Sequence, residues 1–180
     1  MRPILVLPLA LIFSASFVAA KINVQPAAAG ESCHVLEQGF APGDDLEAID
    51  VRLIDGARER IDFAAYVLTS TPVIDALTRA AQRGVVVRVY RDGRDAHQPR
   101  RLAEAIDQLA AERNVEVRYK PSPAPFMHLK AYSIDGRLLR TGAGNFTHGG
   151  LRRQDNDLIA IDCERAISAF QTAFEAMWRR

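Results

Sequence analysis

The residues most able to do chemistry in this chain lie between positions 128 and 145. His128 is followed by Lys130, then by Asp135, and then by the short stretch Gly142-Ala143-Gly144-Asn145. As a pattern this is H-x-K-x4-D-x6-G-x-x-N. An imidazole is a nucleophile and a proton carrier, whereas an ammonium group and a carboxamide stabilise an anion. This combination suits cleavage of a phosphodiester, whose phosphoryl oxygens gain negative charge as the reaction proceeds.

The role of each catalytic group follows from the negative charge of a phosphodiester. A neutral imidazole can attack phosphorus and form a covalent phosphoenzyme, which splits one difficult step into two easier ones. A second, protonated imidazole can give its proton to the leaving oxygen. Because His128 and Lys130 are two apart, a strand places both on the same face. Apolar neighbours predict that this strand is buried: Leu129, Ala131 and Ile134.

The whole pattern resembles the signature of the phospholipase D superfamily. A core strand that carries a His and a Lys by chance is the alternative for the H-x-K pair alone, and the downstream Asp, Gly and Asn favour the functional interpretation. The resemblance covers about residues 33–180 and is to small, secreted, single-motif bacterial endonucleases. It implies a reaction without metal or other cofactor. His128 would form the phosphohistidine, and Lys130 and Asn145 would contact the phosphate.

Two further assignments come from the resemblance. Family members carry a carboxylate after the Gly-rich turn that orients the catalytic imidazole. Asp155 stands at the matching place, although the relatives usually have Glu there. Asp157 competes for this role, and a solvated loop is the alternative for both residues. Asp135 has a family-level place in the active site, while its position before Gly136 predicts a turn-forming, structural role.

The Gly-rich stretch departs from the family pattern at one position. Relatives usually carry Ser after the first Gly, and this chain has Ala143. Phosphate binding must then use other groups. The candidates are the hydroxyls of Thr141 and Thr147 and the backbone N–H groups of the turn that contains Gly142 and Gly144.

One motif per chain predicts a homodimer. The pattern occurs once in the sequence, whereas the chemistry of the family uses two such histidines. A twofold dimer brings the same surface patch of two copies together. We therefore expect a single shared active site, in which His128 of one chain attacks phosphorus and His128 of the other protonates the leaving oxygen.

Composition and charge limit the substrate classes. The chain has 180 residues, is 48% hydrophobic and 25% charged, and has a formal net charge of +1. These values are typical of one globular domain and do not indicate a globally basic nucleic-acid binder. The phosphates of a nucleic acid would instead be bound by a local basic patch that does not recognise the bases. The candidate residues, with solvated surface charges as the alternative, are Arg94, Arg100, Arg101, Arg152 and Arg153. His97 and His148 are predicted to be surface loop residues.

The N-terminal segment is typical of a secretory leader. Arg2 precedes an uncharged apolar run over 4–20, and small residues offer cleavage after Ala20 or Ala29. This predicts a signal peptide over 1–20, or to 29, a linker over 21–32, and a periplasmic or secreted catalytic domain over 33–180. An uncleaved membrane anchor is the alternative. In an oxidising compartment Cys33 and Cys163 would form a disulfide, with two buried thiols as the alternative.

Hydrophobic periodicity and turn signals predict alternating strands and helices after the leader. The predicted strands cover 35–40, 61–68, 85–90, 115–119, 128–134, 137–140 and 158–161. The predicted helices cover 44–57, with Asp44 as its N-cap, a segment from Thr71 to Gly84 with Thr71 as its N-cap, 99–112 and 166–179. Their order indicates an α/β fold with a mixed β-sheet flanked by helices, as the resemblance also implies.

Three functions of different classes remain at this point. The favoured one is a metal-independent phosphodiesterase that acts as a non-specific endonuclease on DNA or RNA. The second is a lipid phosphodiesterase of the same superfamily. The third is a weakened phosphate- or nucleic-acid-binding protein that kept the fold, which Ala143 keeps open.

Overall fold

Strands and helices alternate through the first part of the chain and give way to a run of strands. The computed structural model describes residues 32–96, 100–121 and 123–180, with backbone alone at 95–96 and 100–102. The strands are β1 His34–Ala41, β2 Arg60–Ala65, β3 Val86–Asp92, β4 Val115–Lys120, β5 Lys130–Ile134, β6 Leu138–Thr141 and β7 Asn156–Asp162. The helices are α1 Leu46–Asp55, α2 Thr71–Gln82, α3 Arg100–Ala111, α4 His148–Arg152 and α5 Glu164–Trp178. The predicted leader lies outside the described residues, as does the linker apart from its last residue.

All seven strands join one mixed sheet. Their order is β1-β7-β6-β5-β2-β3-β4. β2, β3 and β4 are parallel neighbours, connected through α2 and α3, whereas β5, β6, β7 and β1 are antiparallel. The predicted α/β fold with a mixed sheet is therefore confirmed.

Helices cover both faces of the sheet. Phe63 and Ala64 are neighbours in β2, so their side chains point to opposite faces. Phe63 is buried in a core with residues of α1, α2 and α3. Ala64 is buried in a second core with Phe170, Phe174 and Trp178 of α5. Across the described ranges, no helix is both long enough and apolar enough to span a membrane.

The β5–β6 hairpin has the predicted Asp-Gly tip. Asp135 has φ 53° and Gly136 has φ 64°, the left-handed conformation of a type I′ turn, and the N–H of Arg137 closes this turn by donating to the carbonyl of Ile134 at 2.9 Å. The Asp135 carboxylate also accepts hydrogen bonds from the backbone N–H groups of Arg58 (3.0 Å), Glu59 (2.8 Å) and Arg60 (2.8 Å). The tip of the hairpin is thereby fixed to the loop that enters β2.

The predicted N-cap of α1 is wrong by one residue. Asp45 is the cap, and its carboxylate accepts a hydrogen bond from the N–H of Ala48 at 3.0 Å. Asp44 instead accepts from the N–H of Phe40 at 2.8 Å and closes the turn after β1. Either of the two consecutive aspartates could cap the helix, but Asp44 is engaged in the turn, so Asp45 becomes the cap.

The connection from β2 to α2 also differs from the prediction. The strand predicted over 61–68 ends at Ala65. The residues that follow pair with a distant segment, because the N–H groups of Thr69 and Ser70 both donate to the carbonyl of Phe146, at 2.8 and 2.9 Å. Ser70, rather than the predicted Thr71, then caps α2.

A disulfide joins Cys33 to Cys163. Cys33 immediately precedes β1, and Cys163 is the N-cap of α5. Of the two states that the sequence left open, the bonded one is present. It ties the edge strand to the closing helix.

Candidate active site

The topology brings the candidate residues to one edge of the sheet. β5 is antiparallel to β2, so Lys130 at the start of β5 pairs with Ala65 at the end of β2. β6 is antiparallel to β5 and to β7, so the Gly-rich turn after Thr141 and the start of β7 at Asn156 reach the same edge. We call this the site edge. It gathers residues from four separate segments of the chain.

His128 lies just before β5 rather than within it. The strand predicted over 128–134 begins at Lys130. Pairing with β2 extends one residue further, because the N–H of Tyr66 donates to the carbonyl of Leu129 at 2.8 Å. Beyond Tyr66 the chain turns toward Phe146 and offers no partner strand. His128 is therefore exposed, whereas Met127 before it and Lys130 after it are buried.

Lys130 contacts His128 directly. Its Nζ lies 2.9 Å from Nδ1 and 3.3 Å from Nε2 of His128, and it donates to the His128 carbonyl at 3.0 Å. Lys130 is 8% exposed, and this burial lowers the pKa of its amine. A poorly hydrated cation interacts strongly with an arriving anion. The pair thus offers a nucleophile and a positive charge to the same phosphate.

Asn145 is positioned through its neighbour Phe146. The Phe146 ring is fully buried, with its centroid 4.4 Å from that of Phe63 and 6.1 Å from that of Tyr132. Its backbone N–H donates to the carbonyl of Val67 at 3.2 Å. The Oδ1 atom of Asn145 is buried and has no hydrogen-bond partner among the described residues. An amide oxygen accepts hydrogen bonds, so a phosphoryl oxygen of the substrate would be bound by the Nδ2 amide hydrogens of Asn145 instead.

The Gly-rich turn is packed closely against β7. A side chain at Gly142 would collide with the backbone carbonyl of Asp157, so a glycine is required there. The N–H of Ala143 donates to Oδ1 of Asp157 at 3.0 Å. Asp157 therefore holds the turn, and the Ala143 N–H is already occupied. Gly144, the second glycine of the turn, is buried.

The two other predicted carboxylates are placed differently. Asp155 is exposed just before β7, at the site edge, and within the described ranges no hydrogen bond joins it to His128. Asp135 lies at the opposite end of β5 from Lys130, roughly 16 Å away along the strand at about 3.3 Å per residue. Its carboxylate is used by backbone N–H groups. The structure does not bring Asp135 to the site, because the hairpin tip is at the far edge.

The predicted phosphate-binding hydroxyls flank the turn. Thr141 is exposed at the end of β6. Thr147 caps α4, and its Oγ1 accepts a hydrogen bond from the N–H of Gly150 at 2.8 Å. Since a hydroxyl can accept and donate at once, Thr147 can still donate to a phosphate.

Two of the candidate arginines form ion pairs. Arg152 lies 3.0 Å from Asp45, and Arg94 lies 2.9 Å from Asp92. Arg153 is exposed. The side chains of Arg100 and Arg101, and all of His97, lie outside the described residues. His148 begins α4, and its side chain is 59% exposed, which fits the predicted surface position.

Sequence reasoning missed the residues that hold the loop before His128. Asp92 is 1% exposed, and its carboxylate accepts from the N–H groups of Met127 (2.8 Å) and Arg94 (3.1 Å). The hydrogen bonds from the Arg94 side chain lower the pKa of Asp92 to about 2. The Arg94 guanidinium also lies over the Phe126 ring at 3.7 Å. The available signal is Asp92 itself, an acidic residue that closely follows the β-branched run of the strand predicted over 85–90.

Most of the chain matches a known protein family. A family model described as "Cardiolipin synthase, PLD-like domain" matches residues 51–178, well over half of the chain, and this span includes the whole H-x-K pattern. The chain belongs to the phospholipase D superfamily.

Curated proteins of this superfamily are longer than the chain. The mitochondrial cardiolipin hydrolase of Drosophila melanogaster is 32% identical over 149 residues, covering 72% of this chain and 57% of that protein. The human mitochondrial cardiolipin hydrolase is 25% identical over 142 residues, covering 79% and 54%. The phospholipase D of Rickettsia conorii is 28% identical over 131 residues, covering 73% and 63%. The chain therefore spans between half and two thirds of these relatives.

Two solved structures match over nearly their whole length and over most of this chain. Nuc from Salmonella typhimurium, a phospholipase D family member, superposes with a TM-score of 0.74 at 24% identity, covering 82% of this chain and 95% of that one. NucT from Helicobacter pylori gives 0.71 at 20% identity, covering 82% and 97%. These likenesses establish the fold.

Proposed function

We propose that this chain is a metal-independent phosphodiesterase that cleaves DNA or RNA without sequence preference. The observation that carries the proposal is the contact between the exposed His128 imidazole and the buried Lys130 ammonium, 2.9 Å from Nδ1 to Nζ. The pair lies at the edge where the Gly-rich turn presents Asn145. A nucleophile, a cation and a carboxamide on one edge are the groups that phosphoryl transfer requires.

The reaction proceeds in two balanced steps. In the first, a ring nitrogen of His128 attacks phosphorus, a P–N bond forms, and the P–O bond to the leaving group breaks. A second, protonated imidazole gives its proton to the leaving oxygen. In the second step, water attacks phosphorus, the same imidazole takes the proton of the water, and the P–N bond breaks. Lys130 and Asn145 stabilise the charge on the phosphoryl oxygens throughout.

The second imidazole comes from a second copy of the chain. The sequence supplies one H-x-K pattern, so a shared site needs a homodimer in which the two site edges face each other. The exposure of His128 supports this arrangement, because a nucleophile at a twofold axis must be accessible in the separate subunit.

Nucleic acid is the substrate that we favour. The resemblance is to single-motif bacterial endonucleases, and the chain accounts for nearly the whole length of the Nuc and NucT chains. A phospholipid is the second candidate, supported by relatives named cardiolipin hydrolase and phospholipase D. It is also favoured by the large apolar side chains of Phe126 and Leu129, which are 56% and 41% exposed on either side of His128.

We also propose that the protein acts in an oxidising compartment outside the cytoplasm, the periplasm in a bacterium. The apolar segment over 4–20 and the Cys33–Cys163 disulfide support export.

The test is cleavage by the purified full-length chain in excess EDTA, beside His128→Ala. Supercoiled plasmid, single-stranded DNA, RNA and cardiolipin vesicles are compared. We expect nucleic acid to be cut by the wild type alone. Cleavage restricted to cardiolipin would replace the nuclease with the lipid phosphodiesterase, and binding of DNA without turnover would favour the weakened binding protein.

A further inference from the structure

Tyr66 contacts the chain around His128 in two ways. It is the first residue after β2, and its backbone N–H donates to the carbonyl of Leu129 at 2.8 Å. Its ring lies against the imidazole of His128, with 4.4 Å between the centroids and 44° between the planes. The backbone contact thus holds the residue next to His128, and the ring packs against the imidazole itself.

The Tyr66 ring also lies beside Lys130. The Nζ of Lys130 is 5.1 Å from the ring centroid, within the range of a cation–π contact. The face of Tyr66 thus borders both groups of the H-x-K pair. An exposed imidazole without such a neighbour would populate several rotamers, of which few point a ring nitrogen at phosphorus.

Tyr66 is itself held in place by a stack of side chains. Phe126 meets it edge to face, with 5.7 Å between centroids and planes at 75°. Arg94 lies over Phe126 at 3.7 Å and is bonded to the buried carboxylate of Asp92. The stack therefore runs from a buried anchor to His128 through Arg94, Phe126 and Tyr66.

We propose that Tyr66 is a positioning residue for His128. The flat ring, fixed by Phe126 and Arg94, holds the imidazole at the angle from which it attacks phosphorus. This inference rests on the proposed function, in that His128 is taken as the nucleophile. The ring does the positioning, so the phenolic hydroxyl is dispensable.

The test compares Tyr66→Phe with Tyr66→Leu in steady-state cleavage of a fluorogenic oligonucleotide in excess EDTA. Tyr66→Leu is expected to lower kcat by about 10- to 100-fold and to leave KM within about twofold, because misplacing a nucleophile costs turnover rather than binding. Tyr66→Phe keeps the ring and is expected to remain within about threefold of the wild-type kcat. Equal losses in both variants would overturn the proposal, as would a loss confined to KM or an unchanged kcat in Tyr66→Leu.

Two controls separate positioning from folding. Tyr119→Leu removes a tyrosine whose ring lies against Arg91 rather than His128, and it should leave kcat unchanged. The thermal midpoints of all variants are compared, so that any kcat is referred to folded protein. Phe126→Leu removes the support behind Tyr66 and is expected to lower kcat in the same sense by a smaller factor.

Proton NMR of the imidazoles keeps the proposal testable even where the proposed function fails. The chain has four histidines, and His128→Ala assigns the resonance of interest. The ring current of Tyr66 should displace the His128 signals in the wild type and in Tyr66→Phe, and the displacement should vanish in Tyr66→Leu. If no protein cleaves any substrate, the proposed function is wrong. If the His128 signals are then also the same in all three proteins, the positioning role is wrong as well.

Discussion

Asp135 and Asp157 act in the same way at opposite edges of the sheet. Asp135 accepts three backbone N–H groups and fixes the hairpin tip, and Asp157 accepts one, from Ala143, and fixes the turn beside the site. An ionised carboxylate that bonds several N–H groups stabilises a turn more than a neutral acceptor does. At the residue scale, the acidic member of the family signature is therefore a structural residue in this chain.

This assignment predicts a stability effect without a catalytic one. Asp135→Asn keeps a residue that tolerates positive φ but removes the charge, and it should lower the free energy of unfolding by about 1–3 kcal/mol. Urea denaturation measures the loss, and kcat of the folded fraction should equal that of the wild type. A reduced kcat with unchanged stability would give Asp135 a direct part in the chemistry.

At the scale of the elements, the loop over 123–127 leads to His128 at the site edge and is held by Asp92. Hydrogen bonds from Arg94 hold the pKa of Asp92 at about 2, below its usual value. As the pH falls, the unfolded chain therefore takes up this proton before the folded one does. The stabilisation is fully present above about pH 4 and is lost as the pH falls through 2, with a size of about 2 kcal/mol.

The measurement is the free energy of unfolding from pH 6 to pH 2 for the wild type and Asp92→Asn. The difference between them should be largest near neutral pH and should shrink toward pH 2. A difference that does not change with pH would mean that the charge of Asp92 plays no part in holding the loop.

A buried ion pair lies beneath the H-x-K pair. Arg140 and Asp50 are both fully buried and joined at 2.7 Å, and Asp50 also accepts from the hydroxyl of Tyr132 at 2.9 Å. Arg140 donates to the carbonyl of Lys130 at 3.0 Å. The pair therefore links α1 to the start of β5.

Removing one partner of this pair should be far worse than removing both. Asp50→Ala leaves a buried guanidinium without its anion and should cost about 3–5 kcal/mol of folding free energy. Asp50→Leu combined with Arg140→Met should recover much of that loss, since paired apolar replacements are often nearly neutral. Chemical denaturation of the three proteins measures this. A double variant as unstable as Asp50→Ala would assign the cost to packing instead of charge.

The sequence predicted the elements better than the contacts between them. Seven strands and four longer helices follow from hydrophobic periodicity, and the Asp-Gly turn follows from its own chemistry. The five-residue helix α4 is too short to show a hydrophobic period. The end of β2 at Ala65 depends on pairing with the distant Phe146, and the capping role of Asp45 depends on a choice between adjacent residues. For the same reason, the motif located His128, Lys130 and Asn145, whereas the roles of Tyr66 and Asp92 required the fold.

At the scale of the whole molecule, a shared site makes activity depend on pairs of intact subunits. Wild type and His128→Ala are mixed, unfolded and refolded together, so that subunits exchange at random. If both His128 side chains are required, an equal mixture should keep about a quarter of the activity of the same total amount of wild type. Independent sites would keep about a half, and a stable, fully active monomer by light scattering would contradict the dimer.

The most direct test of the account is to trap the covalent intermediate. The full-length protein is mixed with an oligonucleotide labelled at both ends, quenched within milliseconds in alkaline detergent, in which a phosphohistidine survives, and digested for peptide mass spectrometry. We expect a labelled peptide that contains His128, and this peptide should be missing from His128→Ala. Label on another residue, or turnover by His128→Ala at the wild-type rate, would contradict it.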